Sequence, residues 1–226
     1  MNPANDALLL TAAEVRVLGS LVEKAVTTPE YYPLSLNALV NACNQSSNRD
    51  PVVSYGEPTV LGAVESLRDK KLVFVFAGAT SRVAKYGQKL AETLGLSSAQ
   101  TAALCVLMLR GPQTVGEIRG RSGRLHEFAG LDEVESTLQS LAARAPSPLV
   151  QRLPRQTGYK ESRYAHLLAG PPESVPDESV PAIETPAGTG LPDDGRVARL
   201  EKEVEGLRRE LAELKTQFTE FRKQLE

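Results

Sequence analysis

Two stretches of this chain, Leu10–Glu14 (LTAAE) and Leu96–Gln100 (LSSAQ), decide the fold because they carry the same chemistry at two distant places. Each has a leucine, then a hydroxyl residue, and then Glu or Gln three residues after the hydroxyl. This order is typical of a capping box, in which both side chains bond to free backbone amides at a helix N-terminus. Both stretches therefore predict the start of a helix, and together they indicate an internal repeat.

The residues after each capping box continue the repeat. Both copies have an apolar helical face, then a proline with a hydroxyl residue two positions later, and then a third helix with the same aliphatic spacing. The hydroxyl residues, Ser35 and Thr114, are predicted to cap a short second helix. The aliphatic positions of the third helix are Val60, Val64 and Leu67 in the first copy and Val134, Leu138 and Leu141 in the second.

Each third helix is followed by two runs of strand-forming residues around a glycine, which predicts a β-hairpin. The runs are Leu72–Phe76 and Arg82–Tyr86 around Gly78, and Leu149–Leu153 and Glu161–Tyr164 around Gly158. Three helices followed by a hairpin is the order of a winged helix, a relative of the helix-turn-helix. The sequence predicts an α+β fold, mainly α, with winged-helix domains at residues 9–95 and 96–170.

The composition changes after residue 170. Residues 171–195 contain six acidic residues, no basic residue and six of the 15 prolines. Such a segment has too little apolar surface to hold a packed fold. It is predicted to be a disordered, acidic linker.

The last segment, residues 196–226, has apolar residues at alternating spacings of three and four. This spacing is typical of a coiled coil. Glu203 with Arg208 and Glu210 with Lys215 have the spacing of charge pairs between parallel helices, so we expect a homodimer. The alternative is an amphipathic helix that folds back on its own domain. The predicted dimerisation residues are Val197, Leu200, Val204, Leu207, Leu211, Leu214, Phe218, Phe221 and Leu225.

Several short motifs of the first 170 residues resemble those of the YceH-type bacterial proteins. The resemblance covers roughly residues 9–170 and implies tandem winged helices. That family is functionally uncharacterised, so the resemblance implies no activity and supplies no catalytic residue. The motifs are Leu21–Lys24, Thr27–Glu30, Tyr32–Ser35, Ala42–Gln45, Asn48–Pro51, Leu109–Gly111, Glu133–Leu138 and Glu161–Tyr164.

The sequence contains few candidates for catalytic residues. No phosphate-binding, dinucleotide-binding or nucleophile-elbow motif occurs, and His126 and His166 have no ligand partner at helical spacing. Cys43 and Cys105 lie in apolar helical contexts, which favours core positions in a reducing compartment. We therefore expect no enzyme activity, no cofactor and no metal. No apolar run is long enough for a membrane span, so we expect a cytoplasmic protein without a membrane partner.

The sequence contains features that favour nucleic-acid binding and features that oppose it. The net charge is -2, and the third helices begin with acidic residues, Glu57 in the first copy and Asp132 and Glu133 in the second. Such residues repel phosphates. The second copy nevertheless has basic residues before its third helix and around its hairpin, which form either one positive face or an ordinary solvated surface. They are Arg119, Arg121, Arg124, Arg152, Arg155, Lys160 and Arg163.

A second candidate surface is the polar segment between helices two and three of the first copy. Asn44, Gln45, Asn48 and Arg49 would present amides and a guanidinium to a protein partner or to phosphates. In the alternative interpretation, these side chains satisfy backbone groups in turns and caps.

Two functions remain after these exclusions. One is a dimeric, DNA-associated regulator that binds duplex DNA mainly through phosphate contacts. The other is a protein-interaction scaffold, in which the winged helices bind a protein partner. Winged helices commonly bind DNA, but that is an argument from fold alone.

We predict that the C-terminal segment forms the dimer. Replacing Leu207 and Leu211 with Asp places charges in the apolar seam and should convert the dimer to a monomer, as measured by light scattering, while the N-terminal helices stay folded. A truncated chain of residues 1–170 should be monomeric; a dimer of that length would contradict the prediction.

Overall fold

The computed structural model describes residues 8–76, 83–155 and 161–171. About half of these residues are helical, and the rest include two small antiparallel sheets, so the fold is α+β. The predicted coiled coil at 196–226 and all but the first residue of the predicted linker lie outside the described residues. So do the hairpin glycines Gly78 and Gly158.

The first half of the fold contains three helices and three strands, along with a turn of 3-10 helix at Pro29–Tyr31. Its order is helix, strand, helix, helix and then a hairpin. The elements are α1 (Ala12–Thr27), β1 (Leu34–Ser35), α2 (Leu36–Cys43), α3 (Glu57–Asp69), β2 (Val73–Phe76) and β3 (Lys85–Gln88).

The second half repeats the three helices and the hairpin after a short connecting helix, with an isolated bridge at Gln113 in place of the first strand. The elements are α4 (Leu90–Leu94), α5 (Ser98–Arg110), α6 (Val115–Ser122), α7 (Leu131–Ala142), β4 (Val150–Arg152) and β5 (Tyr164–His166). The helices that the sequence predicts are present in both halves, and α4 is an addition.

The capping residues that the repeat predicts have the expected contacts. Thr11 and Ser97 form complete capping boxes with Glu14 and Gln100 at the starts of α1 and α5. Thr114 forms a third box at the start of α6. These caps satisfy amides that have no partner within the helix, which fixes where each helix begins.

The two sheets share one plan. In the first, β3 lies between β1 and β2, and Leu34 of β1 is opposite Tyr86. In the second, β4 pairs with β5, and Gln113, just before α6, forms an isolated bridge to Tyr164. Gln113 therefore occupies the position of Leu34, and Tyr164 that of Tyr86, which supports a common origin for the two halves.

The second strand of each hairpin begins later than the sequence predicts. The sequence predicts Arg82–Tyr86 for the first half, but β3 spans Lys85–Gln88; it predicts Glu161–Tyr164 for the second half, but β5 spans Tyr164–His166. Gly87, which the sequence pattern left outside the strand, lies inside β3 opposite Phe74, whose ring covers it. A Cβ at Gly87 would lie 2.3 Å from Phe74 Cζ, so a larger residue at this strand position would force the ring of Phe74 to move.

Helices α1 and α5 join the two halves. Both are almost entirely buried along their central turns, and they pack directly on each other. The two helices are in tight contact at Gly19 of α1, where a Cβ would lie 2.9 Å from Leu109 Cδ2 and 3.2 Å from Met108 Cβ. The buried apolar residues of both halves consequently form one continuous core.

Backbone hydrogen bonds connect the halves at two further places. The amide of Leu10, before α1, donates to the carbonyl of Leu168 at 2.7 Å. The amide of Asp50 donates to the carbonyl of Leu109, near the end of α5, at 2.9 Å. Together with the helix packing, these bonds fix the position of one half against the other.

The start of α1 contains a buried carboxylate. Glu14 is 2% exposed and accepts from Lys70 Nζ at 2.5 Å. Burial alone would raise the pKa of this carboxyl, but hydrogen bonds from Lys70, Ser66 and Thr11 outweigh burial and lower the pKa of Glu14 to about 2. The charged form of Glu14 therefore stabilises the fold.

We predict that Gly19→Ala destabilises the protein by about 1–3 kcal/mol, because the added methyl group overpacks the contact between α1 and α5. Gly62→Ala in α3 is the matched control. A Cβ there meets nothing within 4 Å, so alanine should stabilise the protein by about 0.4–1 kcal/mol. Urea unfolding measures both changes; equal stabilisation by the two variants would contradict the proposed contact.

We also predict a pH dependence that arises from Glu14. Its pKa is lower in the folded chain than the ordinary 4.5, so the stabilisation is complete above pH 4.5 and is lost as the pH falls towards 2. Glu14→Gln should therefore be less stable than the wild type at pH 7, and the difference should shrink between pH 4.5 and pH 2 in urea titrations. Glu92→Gln, in an exposed pair with Lys89, is the control and should show little difference at any pH.

Candidate nucleic-acid interface

The third helix of each half has an exposed acidic side. In α3 the exposed residues include Glu57 and Glu65, with Arg68 in the last turn. In α7 they include Asp132 and Glu135, and this helix contains no basic residue. Helices that read bases in the major groove present basic or amide side chains there. The acidic N-terminal turns of α3 and α7 are unsuited to that role.

The structure places the first predicted basic residues around the C-terminal end of α6. Arg119, Arg121 and Arg124 are all exposed. Arg119 Nη2 lies 3.5 Å from the carbonyl of Ala129, and Arg121 Nη2 lies 3.6 Å from Glu117 Oε1. The side chains of Arg119 and Arg121 therefore contact different neighbours, and Glu117 offsets part of the charge of Arg121.

The loop between α6 and α7 is held by the side chain of Glu133. Its Oε2 accepts from the amide of Ala129 at 2.7 Å, and its Oε1 lies 3.4 Å from His126 Nε2. The amide of Ala129 and then His126 lower the pKa of Glu133. On the other side of the imidazole, His126 Nδ1 lies 3.4 Å from Ser98 Oγ at the start of α5. These contacts position the loop that contains Ala129, whose carbonyl is near Arg119.

The remaining predicted basic residues belong to the second hairpin. Arg152 lies in β4 opposite Tyr164 and is exposed, as is Arg155 beyond the strand. Arg163 precedes β5, is half-buried, and its carbonyl accepts from the amide of Leu153 at 2.8 Å. Lys160 lies outside the described residues. The structure thus distributes the basic residues over two places, the end of α6 and the hairpin.

Sequence reasoning missed Arg110, at the end of α5. Its Nη2 donates to Oδ1 of Asn48, which has a left-handed backbone conformation with φ of 59°. Burial and then the nearby charges of Arg121 and Arg49 lower the pKa of Arg110. No local pattern could reveal this contact, because Arg110 and Asn48 lie in different halves of the chain.

The polar segment of the first half makes many internal contacts. The side-chain amide of Asn44 forms two hydrogen bonds of 2.8 Å with the backbone of Tyr55, one as donor and one as acceptor. Gln45 Oε1 accepts from Arg49 Nη2 at 3.0 Å. Both arrangements match the alternative in which these side chains satisfy turns and caps.

Arg49 has a wholly buried side chain. Its Nη2 lies 2.7 Å from Glu23 Oε2, and its Nη1 lies 3.1 Å from Glu23 Oε1, so the pair is bidentate. The guanidinium also donates to the carbonyl of Ala42 at 2.8 Å. These contacts occupy Arg49 inside the protein, which leaves Asn48 as the exposed member of the four predicted contact residues.

Other chemistry is not evident within the described ranges. They contain no cluster of three or more His, Cys, Asp or Glu side chains placed to hold a metal. Both Cys43 and Cys105 are buried, as predicted, and burial raises the pKa of both thiols. Among helices of the described part of the chain, none has the length and apolarity needed to cross a membrane. The predicted dimerisation residues lie beyond this part.

Comparison with known proteins places the chain in a family. Residues 10–159 match the model described as a protein of unknown function, DUF480. A UPF0502 protein of Opitutus terrae is 58% identical over 91% of this chain and 87% of its own length. UPF0502 proteins of Solibacter usitatus and Pelobacter propionicus are 53% and 50% identical, over 96% and 97% of this chain and 98% and 99% of their own lengths. In agreement with the resemblance found in the sequence, the chain belongs to this uncharacterised bacterial family, DUF480.

Proposed function

We propose that this chain is a non-enzymatic, dimeric winged-helix protein that associates with duplex DNA mainly through phosphate contacts of its second half. The topology supports the winged-helix assignment. In the first half, a strand between the first and second helices pairs with the second strand of the hairpin. The Gln113 bridge to Tyr164 repeats this pairing in the second half.

The observation that carries the DNA proposal is the set of exposed arginines on the second half. Arg119 and Arg124 flank the end of α6, and Arg152 lies on the hairpin. Residues 96–170 contain nine basic and six acidic residues, while residues 1–95 contain nine of each. Arginines placed this way attract the phosphate backbone without reading bases. Base contacts are not proposed, because the exposed sides of α3 and α7 carry acidic residues.

A protein-interaction scaffold is the second candidate, and the first half favours it. Most of the exposed large apolar side chains of the described residues lie there, and exposed apolar groups of this kind are typical of protein contact surfaces. They are Leu9, Val26, Tyr31, Val52, Leu61, Val75, Phe76 and Val83, whereas the second half has Leu131.

Arg119→Glu, Arg124→Glu and Arg152→Glu together should weaken binding to a random duplex. Each arginine is proposed to neutralise one phosphate, so the dependence of log affinity on log salt should fall by about 2.7 for each subunit that contacts the duplex, at about 0.9 for each of its three contacts. Fluorescence anisotropy at several salt concentrations measures this slope.

The matched control reverses three basic residues of the first half and changes the net charge equally. It should retain the wild-type slope, because these residues are not on the proposed surface. The control residues are Arg68, Lys71 and Lys89. Failure of the wild-type protein to bind duplex DNA at low salt would overturn the DNA proposal and leave the scaffold as the better explanation.

A further inference from the structure

The sheet of the first half has one buried face and one outer face. Cross-strand partners in an antiparallel pair point to the same side, and side chains alternate along each strand. The buried face carries Leu34, Val73 and Tyr86, which are 4%, 3% and 7% exposed, together with Val75, which is 36% exposed. By the strand register, the outer face carries Ser35, Phe74, Phe76, Lys85 and Gly87.

The two phenylalanines of the outer face have different environments. Phe74 is half-buried, because its ring lies directly over Gly87 of the neighbouring strand. Phe76 is 53% exposed. Two positions along one strand are about 6.7 Å apart, so both rings lie on one surface at the separation of adjacent same-face residues. The chain has only five phenylalanines and no tryptophan, which makes two on an outward face unusual.

The charge of this surface is positive. Lys85 is exposed and lies directly opposite Phe76 on one side and Ser35 on the other. The described residues of β1, β2 and β3 include no acidic side chain. An aromatic surface with a lysine beside it complements a ligand that has flat, unpaired bases and a negative backbone.

The second hairpin shows which residues occupy the equivalent positions in the other half of the chain. Val150 pairs with His166 as Val73 pairs with Gln88, so the equivalents of Phe74 and Phe76 are Gln151 and Leu153. The basic residue is kept, since Arg163 lies opposite Leu153 as Lys85 lies opposite Phe76. The aromatic side chains are therefore a property of the first hairpin and are not needed to build a hairpin of this type.

We propose that the outer face of the β1-β3-β2 sheet binds single-stranded nucleic acid, with bases stacking on Phe76 and Phe74 and a backbone phosphate beside Lys85. Aromatic side chains on an exposed sheet stack one base each in other single-strand binders, and this contact tolerates any base because every base has a flat face. The proposal goes beyond duplex binding by the second half and uses a different surface.

The test measures anisotropy of labelled 12-nucleotide oligo(dT), oligo(U) and a blunt duplex with the full-length protein. The wild type should bind at least one single strand. Phe76→Ala should weaken that binding by about fivefold or more, and Phe76→Leu should do the same, because leucine keeps apolar area but has no flat π face. Lys85→Ala should lower the salt slope by about 0.7.

Two controls separate this proposal from duplex binding. Tyr31→Ala removes an exposed aromatic side chain outside the three strands and should leave single-strand binding unchanged. The triple reversal of Arg119, Arg124 and Arg152 should weaken duplex binding but not single-strand binding. Thermal melts monitored by circular dichroism check that each variant is folded.

Two outcomes would overturn the proposal. One is the absence of single-strand binding by the wild type at low salt. The other is wild-type affinity in Phe76→Leu, which would identify the outer face as an apolar contact surface for protein rather than a stacking surface for bases.

Discussion

The close packing of α1 on α5 is the contact on which the rest of the structure depends. The two helices approach at Gly19, where even one methyl group would overlap Leu109. Because neither half buries the apolar sides of its first helix alone, each completes the core of the other. Surfaces on the two halves are therefore held in a fixed relation, which matters for any ligand that contacts both.

A buried ion pair connects the polar segment between α2 and α3 to α1. Isolating the guanidinium of Arg49 from water is costly, and the bidentate contact with Glu23 together with the Ala42 carbonyl offsets that cost. Neighbouring residues extend the network to α5, where Arg110 contacts Asn48. Removing Glu23 would leave a buried, unpaired charge, so this segment has a structural reason for its polar composition that is independent of any partner.

Interactions between residues close in sequence made much of the fold predictable. Contacts between residues far apart in sequence could not be predicted. Capping boxes and aliphatic spacing are local, so the starts of α1, α5 and α6 follow from Thr11, Ser97 and Thr114. The shift of β3 could not be predicted, because Gly87 is accommodated by a ring on another strand. The ion pair of Arg49 with Glu23 was missed because the two residues are 26 positions apart in the sequence. The outer-face phenylalanines were visible in the sequence as strand residues, but only the register shows which face they occupy.

The two halves share a fold and differ in their surfaces, and this difference bears on function. In the first half, Phe76 lies opposite Lys85; in the second, the equivalent pair is Leu153 and Arg163. Since the hairpin forms with either pair, its stability does not require an exposed aromatic ring. Because Phe76 is exposed, its side chain buries little apolar area on folding and leaves an apolar group on the surface. Contact with a ligand accounts for this residue better than the stability of the isolated chain does.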